Sequence, residues 1–184
     1  MAKYQKTVFY FALLIMTGNL LYACKILSPP EQPQEIIYDM GIPEKMTLPE
    51  NTALQILPFT NSSAAGRAIL LRTGENTLIA DDFHLWSQMP AQLLTQYLRS
   101  VFQQNSQSSV CDPSLWILSG TILAFEGNTI TQEILLSVQC VLTHGNTVFR
   151  LPLTVTEPFS VNPQLPDYVK TAEAMPKAMQ KLAE

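Results

Sequence analysis

Asp81, Asp82 and His84 stand within one stretch of the chain, and carboxylates beside an imidazole are the materials of general acid–base work or of a metal site. The surroundings do not complete either. The chain holds 2 histidines, and the second, His144, falls in a predicted hairpin turn. Adjacent carboxylates on a strand point to opposite faces, so Asp81 and Asp82 share one site only if the backbone turns there. They read first as solvated acids in a connection between a strand and a helix, with no metal. No serine stands in a nucleophile-elbow pattern, and neither a glycine-rich phosphate loop nor paired CxxC motifs occur. Cys140, inside the apolar run 135–142, reads as a buried strand residue rather than a nucleophile. Trp86 brings a large apolar area with one N–H to satisfy, either as a lid on the core or as an anchor in an interface. This inventory predicts a binding chain rather than an enzyme, with no cofactor.

Cys24 carries the clearest chemistry. Before it come Lys3 and Lys6, an apolar run over residues 8–16, and then Thr17, Gly18 and Asn19. That is the order of a secretory signal. The broken run is a poor membrane span, which needs about 20 consecutive apolar residues, though an uncleaved N-terminal anchor is the competing reading. Leu21 is too large for ordinary small-x-small cleavage. The tetrad Leu21-Tyr22-Ala23-Cys24 instead resembles a bacterial lipobox, in which the cysteine sulfur takes a diacylglycerol and becomes the new N-terminus; Tyr22 is bulkier than the residue usual there. Each buried methylene contributes about 0.8 kcal/mol, so two or three acyl chains hold a protein firmly on a membrane. Residues 1–23 are therefore expected to be a signal peptide. Residues 24–35, with prolines at 29, 30 and 33, are expected to be a lipidated, extended tether of roughly 30 Å.

Without Lys3 and Lys6 the remaining 161 residues carry nine basic and fifteen acidic side chains, a balance of −6. An acidic chain without a Lys/Arg cluster argues against nucleic acid and against a polybasic membrane patch. With 14% charged and 47% hydrophobic residues, the composition is that of a globular domain, expected over residues 36–184. Cys111 and Cys140 remain as one permitted disulfide, or as two buried thiols. A turn at Gly127-Asn128 would set Cys140 opposite Leu115, about 13 Å of strand from Cys111, which disfavours the bridge unless Asp112-Pro113 folds the chain back.

The elements that must position these residues follow from periodicity. Folded structure should begin near residues 36–38. Residues 53–59 read as a strand ending at Pro58, and residues 67–72 and 77–80 as a short hairpin around residues 73–76. A helix should start after residues 81–86, capped by Ser87 with Pro90 in its first turn, burying Leu93, Leu94, Tyr97, Leu98, Val101 and Phe102. Residues 115–126 and 130–142 form a long hairpin, and a turn at residues 144–146 leads into a strand over 147–156. A last helix over 166–184 carries Tyr168, Ala172, Met175, Met179 and Leu182 on one stripe, with Pro176 expected to kink or shorten it. The fold class is α+β: a mixed, largely antiparallel sheet of about six strands covered by two amphipathic helices.

The stretch 67–102, with Tyr38-Asp39-Met40, Ile56-Leu57-Pro58, Ile69-Leu70-Leu71-Arg72, Trp86, Pro90, Leu94 and Leu98 in that order, resembles the ABC-type transport auxiliary lipoprotein component family, the PqiC/YmbA-like lipoproteins. Residues 120–126 resemble the family's second half. The resemblance implies a partner role: a non-catalytic subunit that docks an MCE-domain protein, working with an ABC permease and ATPase, as a possible homo-oligomeric ring. Such systems move lipids or other hydrophobic compounds between membranes. Lys25 after the cysteine, by resemblance to enterobacterial sorting, implies the periplasmic face of the outer membrane. Within this reading Asp81, Asp82, Phe83 and Trp86 are the expected partner-binding residues. The rival is a stand-alone envelope lipoprotein that activates a cell-wall or outer-membrane biogenesis partner.

Overall fold

Residues 134–140 alternate strictly: Ile134, Leu136 and Val138 are fully buried and Cys140 is nearly so, while Leu135, Ser137 and Gln139 between them are half-buried. That period of two is the signature of a strand packed on one face. The strand belongs to a computed structural model that describes residues 33–50, 52–103, 115–159 and 165–184, in which Glu35–Glu184 form one compact unit. In chain order the elements are β1 Ile36–Tyr38, β2 Ala53–Ile56, β3 Thr60–Asn61, β4 Ala68–Gly74, β5 Thr77–Trp86, α1 Pro90–Val101, β6 Leu115–Asn128, β7 Glu133–His144, β8 Thr147–Pro158 and α2 Asp167–Ala183.

The α+β class holds, with 8 strands in one sheet rather than about six. Two short strands account for the difference. Residues 36–38 pair in parallel with β5, and the run around Pro58 divides into β2 and β3. The sheet order is β1-β5-β4-β6-β7-β8. β2, β3 and β4 pair in parallel with successive parts of β6, while β4–β5, β6–β7 and β7–β8 are antiparallel.

The β6–β7 register differs from the expected one. Cys140 lies opposite Gly120, not Leu115, and the turn spans residues 129–132. Asn128 Oδ1 accepts from the N–H groups of Ile130 and Thr131 at 2.9 and 3.2 Å, and Gln132 takes a left-handed φ of 57°. The Asn128 side chain thus folds the turn later than a two-residue turn at Gly127-Asn128 would. A register shift between Ile122 and Ala124 bulges β6 and leaves Leu123 exposed. The β7–β8 turn falls where expected, with Gly145 at a φ of 57°.

α1 begins with Pro90 in the first helical position, where its missing N–H costs nothing, but Met89 rather than Ser87 is the cap. Ser87 instead donates its Oγ–H to Asp39 Oδ1 at 2.9 Å. Leu93, Leu94, Tyr97, Leu98 and Val101 are buried, as the spacing predicts. Two polar clips fix the helix to the β2–β3 corner. Thr95 Oγ1 accepts from Phe59 N–H at 3.0 Å, and Arg99 donates twice to Ile56 O at 2.8 and 3.1 Å. α2 crosses β7 and β8, burying Met175, Ala178 and Met179 completely, and runs unbroken through Pro176. Gly127 lets it approach. A Cβ there would collide with Thr171 Oγ1 and lie 3.0 Å from Phe159 Cζ.

Candidate functional site

The acids expected in a strand-to-helix connection lie inside β5, which runs on to Trp86. Asp81 faces Ile69 and Leu85 faces Ala68, so residues 82–84 bulge out of the β4–β5 ladder. The bulge is built by Asp81. Its Oδ1 accepts from Phe83 N–H at 2.9 Å and His84 N–H at 3.0 Å, and it meets His84 Nδ1 at 2.8 Å. Backbone amides that would have paired with β4 are thereby satisfied by a side chain. Burial works against the Asp81 charge, but the bonds from His84 and from the two amides outweigh it and hold the carboxyl below its ordinary value.

His84 is fixed on its faces as well. Its ring stacks on Tyr168, at the start of α2, with centroids 3.6 Å apart and planes at 24°. Tyr38 of β1 approaches at 6.1 Å. Burial first, then charge interaction with Tyr168, Asp81 and Glu173, pushes the titration of the Tyr38 hydroxyl upward. An Asp–His pair resembles half of a hydrolytic relay, but here the imidazole is clamped between a carboxylate and a phenol ring. These contacts join β1, β5 and α2 behind the bulge.

Of the four expected partner-binding residues, Asp82 and Phe83 reach the surface, with Phe83 42% exposed, and Asp81 is half-buried beneath them. Trp86 corrects the expectation. It is 1% exposed, edge-on to Phe125 at 5.4 Å, and its backbone N–H donates to Arg67 O at 2.6 Å. It is a core pillar and offers no contact surface. β1 adds what the sequence did not reveal: Ile36 pairs with His84, so the exposed Ile36 and Ile37 lie beside the bulge, between the exposed acids Glu35 and Asp39. The apolar run Ile36-Ile37-Tyr38 between two acids was the available signal, but nothing in it names β5 as the partner strand.

Two other features are on the surface. Trp116 stacks on His144 at 4.3 Å and lies 6.2 Å from Phe149, an aromatic row across β6, β7 and β8. A shallow cleft of about 100 Å³ lies between residues 39–43 and α1, beside Tyr97. Cys140 is buried with no bridge among the described residues, and burial pushes its thiol up, away from the reactive thiolate. Cys24 and Cys111 lie outside the described residues, so the lipidation and the Cys111–Cys140 bridge are not placed. Among the described residues no group of three or more His, Cys, Asp or Glu could hold a metal ion, and no helix is long and apolar enough to cross a membrane.

No family model and no curated protein matches the sequence. Solved structures do share the fold. A crystal structure of an uncharacterized protein matches with a TM-score of 0.63 at 16% identity, over 82% of this chain and 94% of that one. Protein XCC0632 from Xanthomonas campestris, of the family DUF330, matches with a TM-score of 0.55 at 14% identity, over 82% of this chain and 86% of that one. At such identities the likeness concerns the fold.

Proposed function

We propose that this chain is a membrane-anchored periplasmic lipoprotein, a non-catalytic auxiliary subunit that docks the MCE-domain protein of an ABC-type transport system at the outer membrane. The observation that carries the reading is the fold shared with a DUF330 protein, because DUF330 is the PqiC/YmbA-like family whose order of motifs the sequence resembles. The lipobox-like tetrad at Cys24 supports the anchor. The Asp81-built bulge supports docking: it holds Asp82 and Phe83 outward on a fixed backbone, an apolar contact flanked by steering charge. The system's ATPase and permease would supply the energy and the path, and the cargo would be a lipid or another hydrophobic compound.

Metabolic labelling with radioactive palmitate, followed by co-purification with the MCE-domain protein of the same system, tests both halves. Labelling that Cys24→Ser abolishes, together with a co-purifying MCE-domain protein, is the expected outcome. An unlabelled, soluble wild type would remove the lipoprotein reading. A labelled chain that activates a cell-wall or outer-membrane assembly partner instead would replace the transport reading with the stand-alone one.

A further inference from the structure

Among the described residues the main path of the sheet ends in β1 and β8, and the chain treats these two edges differently. β8 is long and exposed, but Pro152 and Pro158 face Gln139 and Glu133 in a ladder with no register shift. A proline has no N–H to give, so in an unbroken ladder both nitrogens point to the open side. The outer row of β8 therefore lacks amides where an incoming strand would need them.

β1 has no such guard. Ser87 N–H donates to Tyr38 O at 2.7 Å, so the main-chain groups of Tyr38, and of Ile36 two positions before it, face β5. Those of Ile37 face outward, with Glu35 and Asp39 in phase. The Ile37 side chain is 58% exposed, Ile36 is 46% exposed, and Phe83 lies alongside on the bulge. Glu35, Asp39 and Asp82 surround these apolar groups, all three exposed acids. An open edge, apolar side chains and single-sign charge are what a strand-adding partner reads: main-chain bonds give affinity, and alternate side chains give choice.

We propose that the outer edge of β1 receives an extended segment of a partner protein in which an apolar residue has lysine or arginine two positions away on either side, on the same face of the strand. The inference rests on the docking reading for the partner's identity, and it supplies that partner's chemistry. On the face shared by Glu35, Ile37 and Asp39, the apolar side chain covers Ile37 and the basic ones two positions away meet Glu35 and Asp39, with Phe83 and the acid Asp82 beside them on the bulge.

The test uses the full-length chain in mild detergent and two fluorescent peptides of equal length, one with the pattern Lys-Ser-Val-Ser-Lys repeated and the other with Glu in place of each Lys. Anisotropy titration at low salt should show the Lys peptide binding at least about tenfold tighter. Ile37→Pro removes the outward N–H while sparing the bonds to β5, and should weaken that binding by a similar factor. The pair Glu35→Lys with Asp82→Lys, confined to exposed side chains, should reverse the preference even if Ile37→Pro unfolds. Equal affinity for both peptides, or unchanged binding by a folded Ile37→Pro chain, overturns the proposal. So does self-association of the wild type that Ile37→Pro abolishes, which would seat a second copy on the edge. Co-purification with the MCE-domain protein separates the two readings. Persisting in Ile37→Pro, it sinks the edge inference alone; absent in the wild type while the Lys peptide still binds, it sinks the docking reading alone.

Discussion

One carboxylate oxygen of Asp81 gathers two backbone amides and an imidazole, and this decides the shape of the whole 81–86 stretch. In the sequence the same residue looks like half of an acidic pair. Its partner Asp82 is solvated as expected, but Asp81 is structural, because the strand bulges instead of ending. The consequence for pH follows from the direction of its shift. The folded carboxyl lies below its ordinary value of 3.8, so its stabilisation is complete above that value and is lost as pH falls through the folded one. Urea midpoints measured from neutral pH into acid should fall, and Asp81→Asn should flatten that slope at a cost of roughly 1–3 kcal/mol near neutrality. Gly127 tests packing at the same scale. Any side chain there meets Thr171, Phe159 and Leu71 on the α2 side of β6, so Gly127→Ala should destabilise by about 1–3 kcal/mol in urea unfolding. Gly145 makes the control, because nothing lies within 4 Å of its missing Cβ and only its positive φ resists substitution. Trp86 was legible as a large apolar residue that could lid the core; that its backbone would exchange hydrogen bonds with Arg67, main chain to main chain and Nε–H to Trp86 O, was not.

Elements whose periodicity is long and regular were legible. α1 buries the predicted stripe as far as Val101, with Phe102 half-buried at its C-cap, and leaves Gln92 and Gln96 exposed. Leu98→Ala should therefore cost about 2–5 kcal/mol, while Gln92→Ala and Gln96→Ala stay within about 0.5 kcal/mol. Comparable losses at all three in thermal unfolding would contradict the helix face. The β7–β8 hairpin and α2 were equally readable from Gly145 and from the Met175–Met179 spacing. What failed to show was pairing. The β6–β7 register moved because Asn128 delays the turn and Leu123 bulges, and both effects are side-chain choices invisible to a period of two. Parallel pairing of β2, β3 and β4 along one edge of β6 is a long-range fact that no local pattern carries. The guard on β8 was present in the sequence as Pro152 but meaningless until the ladder showed which way its nitrogen points. Pro152→Val should restore an outward amide, keep the fold, and raise concentration-dependent self-association in light scattering.

At the scale of the whole molecule, the proposed partner surface lies at the opposite end of the sheet from its guarded edge. The Asp82–Phe83 bulge and β1 form that end, and β1 is also where the expected tether from Cys24 enters the domain. Buried Trp86, clamped His84 and the stacked Tyr168 back this surface with packed side chains, so the proposed docking would need little ordering of the chain. The measurement that tests this account most directly is quantitative co-purification of the MCE-domain protein with the full chain, wild type against Asp82→Lys with Phe83→Ser, at matched expression and with thermal midpoints compared. Both substitutions change exposed side chains, so stability should hold while co-purification falls at least about tenfold. Undiminished co-purification with the double variant, or none with the wild type, would contradict the account.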